Sequence, residues 1–147
     1  MKIEIPASFD SREQWPNCTV IGEIRDQGAC GSCWAFGAAE MFSDRVCIAT
    51  KGAVNKMYSA EDLVACCTYC GGCVGGFPLM ATQYLADYGL PTGGLYGDKT
   101  TCKPYTIQPC EHGIPGDRPP CTDDEPAPKC EKRCIPGLIL IMKLKMF

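Results

Sequence analysis

The chain has 147 residues, 46% of them hydrophobic, enough for one domain with a buried core and too apolar for a disordered polymer. The net charge is −3 and no basic run exceeds two residues, which argues against a nucleic-acid or polybasic membrane role. Thirteen cysteines mark a disulfide scaffold of an oxidising compartment, and the odd number leaves one cysteine unpaired when twelve are bridged.

The first six residues, Met1 to Pro6, carry no apolar leader. That conflicts with the cysteine density, so a leader is expected ahead of this sequence. No stretch reaches the roughly 18–20 apolar residues of a transmembrane helix. Residues 1–26 read as an extended lead-in, interrupted by Pro6 and Pro16 and anchored by Trp15.

From Trp34 the apolar residues Ala35, Ala38, Ala39, Phe42 and Val46 recur at helical spacing until Lys51-Gly52. This predicts a central helix over 33–49, its alanines allowing close packing. Ser59 and Asp62 resemble a capping box ahead of a short helix over 60–66. A third helix starts at Pro78 and stops at Gly89, with Leu79, Ala81 or Thr82, Leu85 and Tyr88 as its periodic residues. Residues 97–137 hold most of the prolines and five cysteines with almost no periodicity, which predicts a disulfide-stapled, loop-rich region. The last ten residues, 138–147, are apolar, free of glycine and proline, and unlike anything before them.

The chemistry is concentrated in Gln27-Gly28-Ala29-Cys30-Gly31-Ser32-Cys33, just before the central helix. Backbone N–H groups at a helix start are unpaired and favour negative charge, and a thiolate is the nucleophilic form of cysteine. Cys30-Gly31-Ser32-Cys33-Trp34 matches a known signature of cysteine-peptidase nucleophiles. The same Cys-x-x-Cys spacing also suits a thioredoxin-type redox pair or half a zinc site. Redox use wants a preceding strand, which Pro16 and the Gly28 approach do not suggest. Gln27, six residues before Cys33, can donate its side-chain amide to a developing oxyanion together with the cysteine N–H. Cys67-x-x-Cys70-x-x-Cys73 approaches an iron–sulfur pattern, but Phe77 stands where the fourth cysteine belongs, so disulfides are the better account. His112 is the only histidine, and a lone loop histidine is more often a surface residue than a catalyst.

With these residues assembled, the sequence resembles the papain-like cysteine peptidases, and within them the cathepsin B branch, from Ile5 to Gly137. The block from Gln27 to Phe36 is similar to the family's active-site block. Ser59 to Leu63, Gly93 to Tyr96, and Cys110-Glu111-His112 with Arg118-Pro119-Pro120-Cys121 are similar to the cathepsin B branch, the last to its occluding loop. The resemblance implies an α+β papain-like fold, here the mainly helical left domain with a long central helix, spanning 1–137, without the β-rich right domain. It implies the bridges Cys18–Cys47, Cys30–Cys73, Cys66–Cys130, Cys67–Cys70, Cys102–Cys134 and Cys110–Cys121, which leave Cys33 free. It implies Cys33 as nucleophile, Gln27 as oxyanion-hole donor, Gly75 and Gly76 in the substrate groove, and an occluding loop in which His112 pairs with Asp26 and Arg118 also anchors. It implies peptide or protein substrates, a propeptide and cystatin-type inhibitors as partners, no metal or organic cofactor, and a lysosomal, endosomal or extracellular setting.

Four departures stand against the family pattern. Gly113 replaces a second loop histidine, which puts carboxydipeptidase activity in question. Val74 replaces a polar groove residue. The turns joining Cys67, Cys70 and Cys73 are each one residue shorter. The catalytic histidine and asparagine belong ~130–150 residues beyond the nucleophile, more than follow Cys33 here. The expectation is a truncated peptidase chain lacking both groups and inactive by itself, with 138–147 an unrelated tail. The alternatives are an inactive truncated paralogue acting as a binding or decoy protein, and a purely structural disulfide-rich module.

Overall fold

A computed structural model of the chain describes residues 4–123 and 125–137. The apolar segment 138–147 lies outside them. The described residues form four α-helices, α1 (Ser11–Gln14), α2 (Cys33–Ala49), α3 (Ala60–Cys66) and α4 (Pro78–Tyr88), and a 3-10 turn at Thr19–Gly22. Pairing of extended backbone among them is confined to isolated bridges, Tyr58 with Thr92 and Glu111 with Pro120.

The architecture follows from α2. Trp34, Ala35, Ala38, Ala39, Phe42 and Val46 are all buried along it. The alanines let α3 and α4 pack against its flank, and Leu63, Val64, Ala81 and Leu85 complete the main core. A second, smaller core gathers Cys18, Val20 and Cys47 under Trp15 and Ile48, where the 3-10 turn meets the far end of α2.

The lead-in differs from its expected extended form. Asp10 accepts a hydrogen bond from the Arg12 N–H at 2.9 Å and caps α1, and Pro16 lies beyond that single turn. The proline therefore ends a helix instead of preventing one. The Cys18–Cys47 bridge then fixes the 3-10 turn against α2.

The register of α4 differs as well. Ala81, Tyr84 and Leu85 are its buried residues, while Leu79 is 79% exposed and Tyr88 is exposed too. Leu79 falls on the outer side because the Ala81–Leu85 face lies against α2. Pro78 opens the helix at its first position, and Gly89 ends it with a positive φ of 66°.

The capping box at α3 is half formed. The Ser59 hydroxyl accepts from the Asp62 N–H at 3.0 Å, but the Ser59 N–H donates to the Pro91 carbonyl instead. The Asp62 carboxylate turns inward, receiving Lys103 Nζ at 2.5 Å and the Tyr84 hydroxyl at 3.2 Å. A buried ion pair thus occupies the place of a surface cap, tying α3 to the loop-rich region. Among the described residues of 97–137 there is no regular helix. The bridges Cys66–Cys130, Cys102–Cys134 and Cys110–Cys121 hold them together.

Candidate active site

Cys33 is the first residue of α2, exposed, and the one free cysteine of the chain. Its N–H and that of Trp34 find no hydrogen-bond acceptor among the described residues, as expected at a helix start. Ser32, the N-cap residue, does not cap α2 with its side chain. The helix therefore presents bare N–H groups beside a thiol, where negative charge is favoured.

The loop leading to Cys33 is held from four directions. Cys30 is bridged to Cys73, and the Gly31 N–H donates to the Cys73 carbonyl at 2.6 Å. The Glu125 N–H donates to the Ala29 carbonyl, also at 2.6 Å. Asp26 accepts from the Gly28 N–H at 2.7 Å with one oxygen and pairs with Arg118 through the other. The Tyr105 hydroxyl donates to the Gln27 carbonyl at 2.9 Å and lies 2.9 Å from Ser32 Oγ. Gly28 has φ +60°, and a Cβ there would sit 2.5 Å from the Gln108 carbonyl oxygen, so a side chain is barred twice over.

Gln27 is half-buried. Its carbonyl is taken by Tyr105, while its side-chain amide makes no hydrogen bond to the described residues. The Gln27 amide is thus uncommitted as a donor among the described residues. Gly75 and Gly76 follow Cys73 and are glycine for different reasons. Gly75 has φ +96° with open space where a Cβ would be. A Cβ on Gly76 would lie 2.6 Å from the Trp34 indole, so its lack of a side chain serves close packing on α2. The Trp34 Nε1–H donates to the Gly72 carbonyl at 3.1 Å, fixing the same segment.

His112 is exposed and has no hydrogen bond or ion pair among the described residues. Asp26, the partner that the resemblance implied for it, is engaged by Arg118 and the Gly28 N–H. Arg118 thus ties the 110–121 loop to the residue before Gln27, and His112 makes no bond to that residue among the described ones. Cys110, His112 and Cys121 bring their ligand atoms within 4.8 Å of one another. Both sulfurs are spent in the Cys110–Cys121 bridge, so the group offers a metal one nitrogen and no thiolate. Cys67 and Cys70 are bridged to each other, which leaves no iron–sulfur ligand set in that turn.

Tyr105 escaped the sequence reading. It lies in a stretch without periodicity and meets Ser32 across 73 residues of sequence. Its ring stands edge-on to Phe36 with centroids 4.8 Å apart. Burial pushes its phenol up to about 12, against a lowering by the Ser32 hydroxyl, with the carboxylates of Glu61 and Asp26 adding to the rise. The phenol therefore keeps its proton at neutral pH.

The sequence pattern of the papain family cysteine protease family matches residues 5–135. Cathepsin B-like cysteine proteinase 5 of Caenorhabditis elegans is 54% identical over 136 residues, covering 88% of this chain and 40% of that protein. Among solved structures, procathepsin B S9 from Trypanosoma congolense superposes with a TM-score of 0.77 at 38% identity, covering 98% of this chain and 43% of that one. A Haemonchus galactose-containing glycoprotein complex gives a TM-score of 0.62 at 32% identity over 88% of this chain and 60% of that one. The chain thus spans about two fifths of the length of the cathepsin B-like relatives it matches.

Proposed function

The chain belongs to the papain family of cysteine proteases, and on that premise we propose that it carries the nucleophile side of a cathepsin B-like peptidase working by acyl transfer. The observation that carries this reading is the free, exposed Cys33 at the start of α2, with its own N–H unpaired, in a chain whose other cysteines are bridged. In this reading the Cys33 thiolate attacks the scissile carbonyl, and the oxyanion is received by the Cys33 N–H and the Gln27 amide. The thioester is then hydrolysed by water, with no metal or organic cofactor.

The leaving amine needs a proton, and an imidazole ordinarily supplies it. His112 is the only histidine of the chain and has no partner to orient it among the described residues. The reading assigns the acid–base group to the portion of such a protein that this chain does not span. Gly75, with open space at its missing Cβ, is assigned to the substrate groove. The Arg118–Asp26 pair is assigned to holding the 110–121 loop over one end of the cleft. Peptide or protein substrates, a propeptide, cystatin-type inhibitors and a lysosomal or secreted setting follow from the same assignment. No helix among the described residues is long and apolar enough to cross a membrane.

The test is alkylation and hydrolysis side by side. Iodoacetamide without prior reduction is expected to label Cys33 alone in the 147-residue chain, which should not hydrolyse a Phe-Arg peptide. Joined to the remaining part of a cathepsin B-like peptidase, the chain is expected to hydrolyse it, and Cys33→Ala to lower that turnover by roughly 10⁶, the cost of removing a peptidase nucleophile. Hydrolysis that survives Cys33→Ala would overturn the reading.

A further inference from the structure

We propose that Tyr105 is a positioning residue of the nucleophile loop: its hydroxyl holds the Gln27 carbonyl and draws the Ser32 hydroxyl away from the first turn of α2, leaving the Trp34 N–H beside Cys33 uncapped. The proposal rests on the reading of Cys33 as nucleophile and Gln27 as oxyanion donor.

The hydrogen bonds have one consistent polarity. The Gln27 carbonyl can only accept, so the single phenolic proton goes to it at 2.9 Å. The Ser32 hydroxyl then donates to the Tyr105 oxygen at 2.9 Å, a shorter contact than the 3.5 Å to the Cys30 carbonyl that competes for the same proton. One phenol therefore ties together both ends of the Gln27–Cys33 loop.

Ser32 stands where a serine ordinarily turns its hydroxyl onto an N–H of the first helical turn. It does not do so here, although it is the N-cap residue and fully buried. Only its carbonyl serves α2, accepting from the Ala35 and Phe36 N–H groups at 2.8 and 3.1 Å. A capping hydroxyl would neutralise the end of the helix that faces the Cys33 sulfur. The structure instead spends that hydroxyl on a tyrosine from the stapled region.

Tyr105 itself has little freedom. It is 3% exposed, and its ring is wedged against Phe36. Its own N–H donates to the Gly94 carbonyl at 3.1 Å. The hydroxyl is thus delivered to a fixed point, as positioning requires.

The experiment measures the rate of Cys33 alkylation by iodoacetamide from pH 6 to pH 9. Tyr105→Phe keeps the ring and removes one oxygen. The freed Ser32 hydroxyl is then expected to cap α2, and alkylation near pH 7 to slow by roughly two- to five-fold, the size of a helix-terminus charge effect. Adding Ser32→Ala to Tyr105→Phe removes the competing cap and should restore most of the rate. A merely structural tyrosine predicts the opposite, a double variant no faster than the single one. A wild-type Cys33 that resists alkylation overturns the nucleophile reading itself. A reactive Cys33 whose rate ignores Tyr105→Phe overturns the positioning role alone. Should Tyr105→Phe not fold, amide exchange in the wild type decides: a fast-exchanging Trp34 N–H, the group a Ser32 cap would cover, supports the proposal, and a protected one overturns it.

Discussion

Glu61 shows how one buried carboxylate sets a pH dependence. It sits in the first turn of α3, and its oxygens accept from the Thr106 hydroxyl at 3.0 Å and the Thr106 N–H at 3.2 Å. Burial raises its pKa above the ordinary 4.5, in spite of those bonds and of nearby Lys103, which pull it down. A native pKa above the unfolded one means the folded protein holds that proton more tightly. The contribution to stability is therefore complete below about pH 4.5 and is lost as pH rises through the native value. Urea midpoints between pH 4 and pH 8 are expected to fall with rising pH more steeply in the wild type than in Glu61→Gln; parallel curves would refute the assignment. The neighbouring Ser59 cap was readable in sequence because its partner is three residues away. The pairing of Asp62 was not, because Lys103 is 41 residues away.

At the scale of elements, the helices were legible in extent and less so in facing. The run from Ala35 to Val46 fixed both the length and the buried side of α2, since five periodic residues define a stripe. On α4 the leucines at 79 and 85 read alike, yet one is 79% exposed and the other fully buried. Leu85→Ala is expected to cost about 2–5 kcal/mol, the range for a large-to-small change in a core. Leu79→Ala is expected to stay within about 0.5 kcal/mol, as an exposed position does. Equilibrium unfolding of the two variants distinguishes the faces, and equal losses would place Leu79 in the core. The two turns of the lead-in were missed because four-residue elements carry too few positions for a period to show.

Across the whole molecule, the helical part and the stapled part are joined by a buried ion pair and a buried phenol. Lys103 Nζ meets Asp62 between α3 and the start of the loop-rich region, with both side chains almost wholly buried. Lys103→Met removes the buried ammonium from the pair with Asp62 and is expected to cost about 3–5 kcal/mol, with Asp62→Leu in the same chain recovering most of it. Denaturant midpoints of the single and double variants check this, and a harmless single change would mean the pair contributes nothing to holding the halves together. Tyr105 makes the corresponding tie at the nucleophile loop, reaching Gln27 and Ser32 from the same region. The sequence by itself determined the family, through its motifs, the extents of α2, α3 and α4, and the presence of one cysteine too many for pairing, because each is written in neighbouring residues or in composition. The six disulfides are those that the resemblance implied and that spacing alone left open; the tertiary structure decided which face of α4 turns inward, that Asp26 goes to Arg118, and that Ser32 leaves α2 uncapped for Tyr105. Each of these is a competition among partners distant along the chain, and only the folded geometry brings the competitors within reach of one another.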